Sequence, residues 1–186
     1  MTNPVTVAMA YAFAAERHTN QRRKGVKEEP YLNHLVEVAN LVTAATDGRD
    51  PNLTAAAVLH DTIEDAETSH HELEQIFNRD VADLVAEVTD DKSLPKQTRK
   101  DLQVRNTPSK SPRAKIIKIA DKISNLRSLV NSPPGNWPIE RKRAYLEWAR
   151  QVVAGAKGVN ASLDALFDET ARELERELSD PPLQRT

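Results

Sequence analysis

The chain has 186 residues, 39% of them hydrophobic, 29% charged and only 4% aromatic, with a net charge of −2. That is material for one ordinary domain with its own core, and frequent alanine beside five glycines favours helices over strands. Glycines at 25, 48, 135, 155 and 158 exclude both glycine-rich phosphate-loop patterns, and the absence of cysteine excludes disulfides and thiolate zinc sites.

Proline behind a capping residue marks several helix starts, because a first-turn N–H has no partner to lose. Asn3-Pro4 opens a first helix to about His18, and a basic loop with Arg22, Arg23 and Lys24 beside Gly25 follows. The spacing predicts a second helix over about Tyr31 to Ala45 and a third from Asp50-Pro51, in which Leu53, Ala56, Ala57 and His60 share a face. Ser69 to Glu72 has the spacing of a capping box, and two short helices are expected to meet near Asn78. After a polar connection comes a helix over Lys96 to about Asn106, then a proline-containing loop over Thr107 to Ser111. The longest core helix is expected over Pro112 to Val130, with Ile116, Ile119, Ile123, Leu126 and Val130 buried and Ile117, Asp121, Ser124 and Asn125 on an adjacent face. A turn with Pro133, Pro134 and Gly135 precedes two last helices, Pro138 to Gly155 and Asn160 to Leu178, and the tail 179–186 with Pro181 and Pro182 is expected to fray.

The fold class is therefore all-α: a single-domain helical bundle over 1–178 with no internal repeat. No apolar run approaches the roughly 18 residues of a membrane span. The segment Met1 to Val5 also lacks the Lys or Arg of a signal peptide. A soluble cytoplasmic protein is expected, with neither membrane nor nucleic acid as a partner, given the near-neutral charge. A homo-oligomer is compatible with the sequence but not legible in it.

Chemistry concentrates at His60-Asp61. Alone, a histidine on an apolar face is more often a hydrogen-bonded core residue than a metal ligand. Glu64 and Asp65 follow three and four positions after Asp61, bringing two more carboxylates beside the pair if the helix continues. Such crowding is unfavourable unless a cation or proton offsets the repulsion. His34, in register with Val38 and Leu41, turns inward like His60, and Asp121 sits beside the buried isoleucine stripe, where an unpaired carboxylate is costly. Pairing of Asp121 with Lys118 or Lys122 is the plainer alternative. His18, His70 and His71 read as surface or packing residues.

These residues, with Gln21 to Lys24, Pro30 to His34, Leu59 to Asp65, Glu87 to Lys92, Leu94 to Lys96 and Lys118 to Leu126, resemble the HD metal-dependent phosphohydrolase superfamily. Within it the chain is similar to stand-alone alarmone hydrolases of the RelA/SpoT group, over about residues 5–165. The resemblance implies an HD-type hydrolase with Mn²⁺ held by His34, His60, Asp61 and Asp121, and with Glu64 and Asp65 acting on the water and the leaving group in an unassigned order. It implies substrate contacts from Arg23, Lys24, Tyr31, Lys96, Asn125, Arg141 and Tyr145. The expected activity is removal of the 3′-diphosphate of ppGpp or pppGpp, giving pyrophosphate and GDP or GTP, without synthesis because the chain has no room for a synthetase domain. Two alternatives stay open: release of the 2′-phosphate of NADPH by the same site, and a non-catalytic alarmone sensor. Leu35, where relatives commonly carry proline, and a short loop over Gly25 to Glu29 depart from the family pattern without touching a proposed ligand.

Overall fold

The computed structural model describes residues 4–179. They form ten α-helices: α1 (Pro4–Arg17), α2 (Leu32–Ala45), α3 (Pro51–Leu59), α4 (Thr62–Asp65), α5 (His70–Ile76), α6 (Arg79–Val88), α7 (Lys96–Asn106), α8 (Pro112–Asn131), α9 (Ile139–Ala154) and α10 (Ala161–Ser179). Among the described residues there is no strand, only an isolated antiparallel bridge between Arg22 and Pro30 that pins the loop after α1. Helix α8 is the axis of the bundle, packed against α10, α2, α6 and α9, while α3 is covered by α1, α2 and α6. No helix among the described residues is long and apolar enough to cross a membrane.

The expected caps are made where they can be seen. Asp50 accepts from the Leu53 N–H at 2.9 Å, and Asn78, expected only as the meeting point of two helices, caps the second by accepting from the Val81 N–H at 2.9 Å. Ser69 accepts from the Glu72 N–H at 3.1 Å, but the Glu72 carboxylate pairs with Arg17 instead of returning to Ser69, so the box is half formed. Asn3 and the proline-containing segment 180–186 lie outside the described residues; Ser179, expected in the tail, still belongs to α10.

Helix α8 differs from expectation in which residues it buries. Leu129, not Val130, closes the apolar stripe, and Ile117, expected on the adjacent face, is fully buried. With neighbours on so many sides, more than one face of α8 is core, and a single-stripe reading underestimates it. Its start is held doubly. Ser111 Oγ accepts from the Ala114 N–H at 3.1 Å, and the same hydroxyl donates to Glu87 on α6 at 2.8 Å. Ser111→Ala removes the cap and leaves one Glu87 oxygen short of a donor. A loss of about 1–2 kcal/mol is expected by urea unfolding, and an unchanged midpoint would show that α8 is anchored elsewhere. The loop over Thr107 to Ser111 contains one 3₁₀ turn, Thr107–Ser109.

Candidate active site

Helix α3 stops at Leu59, whose carbonyl accepts from the Thr62 hydroxyl at 2.6 Å, and the chain turns through His60 and Asp61 before the single turn of α4. The helix, whose continuation past the pair the sequence left open, is thus broken there. Both side chains are released towards α2 and α8, where His34 and Asp121 face them.

The tautomers follow from the hydrogen bonds on the far side of each ring. His60 Nδ1 donates to the Ala57 carbonyl at 2.8 Å, so Nε2 carries the lone pair inward. The Ser124 hydroxyl donates to Glu37 at 2.6 Å, so it accepts from His34 Nδ1 at 2.8 Å, and His34 Nε2 also faces inward. Glu37 is itself paired with Arg127 at 3.0 Å, which fixes the chain of donors from the surface to the imidazole.

Four ligand atoms converge. His60 Nε2 lies 3.2 Å from Asp61 Oδ2 and 3.9 Å from Asp121 Oδ1, and His34 Nε2 lies 3.7 Å and 3.4 Å from the same two oxygens. His34, His60 and Asp121 each offer one ligand atom, all within 4.8 Å of one another. Buried His60 Nε2 makes no hydrogen bond, which suits an atom reserved for a cation. Burial alone would depress the His60 imidazole, but Asp61 and then Asp121 push it up to about 9. Burial would raise Asp61 and Asp121, yet His60 holds Asp61, and Lys122 with His34 holds Asp121, below the ordinary carboxylate range. A proton on His60 is what two buried carboxylates take in place of a metal. The donor set, two imidazole nitrogens and two carboxylate oxygens without thiolate, fits a hard or borderline divalent ion.

Asp121 uses its other oxygen as the plainer sequence reading allowed, pairing with buried Lys122 at 2.8 Å, but Oδ1 remains turned to the histidines. Lys118 goes elsewhere, donating to the Val88 carbonyl at 2.6 Å.

Beside the cluster lie two connected spaces. A small one, about 150 Å³, touches His60, Asp61, Glu64, Asp90 and Asp121. A cleft of about 450 Å³ adjoins it, with Tyr31, Asp65 and Asn125 bordering both. Glu64 accepts from Arg99 at 3.2 Å and from the Asp90 N–H at 3.3 Å. Burial, then the negative charges of Asp61 and Asp90, outweigh that N–H and raise the Glu64 carboxyl to about 7. Asp65 is gripped by Lys92 and by Gln21, whose amide donates at 3.1 Å.

The sequence-predicted substrate residues divide into two groups. Arg23, Lys24, Lys96, Arg141 and Tyr145 line the outer cleft. Tyr31 and Asn125 border it too, but their polar ends are committed to the cluster: the Tyr31 hydroxyl donates to Asp61 at 2.5 Å and the Asn125 amide to Asp121 at 2.6 Å. Sequence reasoning missed Lys100 and Trp137, which also line the cleft. Lys100 lies one helical turn after Lys96, a spacing that could have found it. Its ammonium stands over Trp148 at 4.7 Å, and the Arg141 guanidinium over Trp137 at 4.1 Å. Burial, then neighbouring cations, lowers both Lys96 and Lys100, the signature of a positive cluster that gains from a polyanion. His70 is a surface residue paired with Asp83 at 2.7 Å and His71 is exposed, whereas His18 is buried against Tyr31.

Gly25 makes the rim possible. A β-carbon there would stand 2.1 Å from the Ser132 carbonyl oxygen, so only glycine lets the basic loop close on the end of α8.

An all-helical bundle with an inward His/His-Asp/Asp cluster is the arrangement of an HD domain, and the HD domain family model matches residues 10–147. The chain belongs to the HD domain family, whose hydrolases are metal-dependent. It is 45% identical over 161 residues to the guanosine-3′,5′-bis(diphosphate) 3′-pyrophosphohydrolase MESH1 of Drosophila melanogaster, covering 87% of this chain and 90% of the relative. It is 47% identical over 152 residues to the human protein of that name, covering 82% and 85%. A solved structure of a metazoan ortholog of SpoT that hydrolyses ppGpp superposes with a TM-score of 0.89 at 42% identity, covering 96% of this chain and 99% of that one.

Proposed function

We propose that this chain hydrolyses the 3′-diphosphate of ppGpp and pppGpp, releasing pyrophosphate and leaving GDP or GTP. One juxtaposition carries the reading: a four-ligand cluster whose His60, Asp61 and Asp121 line a small space that shares Tyr31, Asp65 and Asn125 with a cleft rimmed by Arg23, Lys24, Lys96, Lys100 and Arg141. Similarity to ppGpp hydrolases over most of the chain supports the choice of substrate.

His34 and His60 through Nε2, with Asp61 and Asp121, would hold the divalent ion, which we assign as Mn²⁺. When bound, it supplies Lewis acidity to a phosphoryl oxygen and makes water more acidic. Glu64, lining the small space and with its carboxyl near 7, takes the proton of the attacking water as the P–O3′ bond breaks. Asp65, an ionised carboxylate bordering both spaces, orients a water that gives its proton to the departing ribose oxygen and is reprotonated by Glu64. The rim cations neutralise the two diphosphates, and Tyr145 and Trp137 offer ring faces to the nucleoside. We place this single hydrolase domain, spanning 1–178, in the cytoplasm with the guanine nucleotide pool.

Metal-stripped protein, with and without Mn²⁺, is given ppGpp and NADPH in parallel. Mn²⁺-dependent pyrophosphate from ppGpp is expected. Orthophosphate from NADPH alone would keep the site and move the substrate, and binding of ppGpp without turnover would make the chain a sensor.

A further inference from the structure

We infer that His18, acting through Gln21, fixes the orientation of the Asp65 carboxylate, and is thereby a positioning residue for the hydrolysis proposed above. The inference rests on that reading for the role of Asp65 but on geometry for the connection.

Asp65 ends a helix of one turn, which cannot hold its own shape. Its carboxylate is held laterally: Oδ1 pairs with Lys92, which is about half exposed, and Oδ2 accepts from Gln21 Nε2 at 3.1 Å. A carboxylate only accepts, so Gln21 must turn its NH₂ towards Asp65 and its carbonyl oxygen away. That oxygen lies 2.5 Å from His18 Nδ1, which must therefore be the donor. His18 Nε2 is buried and has no partner, so a second proton there would be an unsatisfied buried donor. The polarity of the chain is thus determined throughout: neutral His18 carrying Nδ1–H, then Gln21, then Asp65.

His18 is a firm base for such a chain. It is 3% exposed, its N–H bonds the Ala14 carbonyl at 3.0 Å at the end of α1, and its carbonyl accepts from the Gln21 N–H at 3.0 Å. Its ring stacks on Tyr31 with centroids 5.3 Å apart and planes at 29°, and Tyr31 donates to Asp61. If packing were all the position required, an apolar side chain would fill it without burying an unpartnered nitrogen. What the imidazole adds is a directed donor that sets which end of Gln21 faces Asp65.

The test compares His18→Leu, His18→Asn, His18→Gln and Gln21→Leu, with ppGpp as substrate and Mn²⁺ saturating. His18→Leu and Gln21→Leu should each lower kcat about 10- to 100-fold, the range expected for misplacing a group that handles protons, with KM changed less than about threefold. His18→Asn, whose amide occupies the place of Nδ1, should recover most of the rate. His18→Gln, whose amide reaches the place of Nε2, should not. The double variant His18→Leu/Gln21→Leu should be no slower than the slower single variant, since the two act in series. Equal rates for the Asn and Gln variants, or additive losses in the double variant, would overturn the inference.

Should His18→Leu fail to fold, Gln21→Leu and the tautomer decide. Long-range ¹H–¹⁵N correlation, on protein free of paramagnetic ions, should find His18 neutral with the proton on Nδ1. An Nε2–H ring in the parent protein would overturn the chain of hydrogen bonds. Parent protein that releases no pyrophosphate from ppGpp would instead sink the functional reading, and the tautomer would still decide the chain.

Discussion

Asp61→Ala and Asp121→Ala are both expected to lose divalent-ion retention and more than about 10³-fold of the turnover, because each removes one of four converging ligand atoms. The two variants should differ in stability. Asp121 is the partner of Lys122, a buried cation whose ammonium lies 2.8 Å away and is held in its charged form against burial by that carboxylate. Deleting Asp121 strands the charge, and breaking a buried pair in this way costs about 3–5 kcal/mol. Asp61 has no lysine partner: around it are two imidazoles and the Tyr31 hydroxyl, which become neutral or rotate at lower cost. Metal content per chain, ppGpp turnover and urea unfolding separate the effects. Asp61→Ala should be inactive yet close to parental stability, and Asp121→Ala inactive and markedly less stable. Turnover near the parent value in either would remove the ligand assignment. Added Mn²⁺ should also raise the melting temperature of the parent chain and of neither variant, since only a bound ion shifts the folding equilibrium.

The helices were legible because their boundaries carry local chemistry. Asp50-Pro51 and Ser111-Pro112 start α3 and α8 as their sequence predicts, and Asn78 both separates two helices and caps the second. The cluster was legible for a different reason: inward His34 and His60 and a mid-core Asp121 are costly unless they serve one another. Whether the helix continued past His60-Asp61 was left open, because its stop depends on the Thr62 hydroxyl taking a backbone carbonyl, an option every threonine has and few use. The supporting bonds were hidden for a deeper reason. Tyr31 to Asp61, Ser124 to His34 and Gln21 to Asp65 join residues far apart in the chain, and no period or spacing encodes such pairs. The pairing of Lys122 with its neighbour Asp121 was legible, but not that the fold buries its ammonium over Trp148.

Glu64→Gln should lower kcat by about 10²- to 10⁴-fold, the range for losing a general base, while leaving metal content at the parent level. Glu64 is in the small space beside the cluster, hydrogen-bonded to Arg99 and to the Asp90 N–H, and those two bonds hold it without consuming its capacity to accept a proton from water. The sign of the pH dependence follows from its role. A base must be ionised, so kcat/KM should fall as pH drops through the Glu64 titration and level off above it. Burial, then Asp61 and Asp90, raises that carboxyl to about 7. A cation held by Asp61 and Asp121 offsets part of their charge, so the acid limb of the metal-loaded enzyme should lie between 4.5, the ordinary value, and 7. In Glu64→Gln the limb should disappear along with the rate. If Glu64 were instead the donor to the leaving oxygen, the parent rate would fall as pH rose through the same interval. A basic limb there, abolished by Glu64→Gln, would therefore exchange the roles of Glu64 and Asp65. Stability has its own sign: because folding raises this pKa, the contribution of Glu64 is fully present below 4.5 and is lost as pH rises towards 7. Glu64→Gln, which carries no charge to desolvate, should therefore gain stability relative to the parent between pH 5 and pH 8 even as it loses activity, the relation expected where a carboxylate is kept for chemistry.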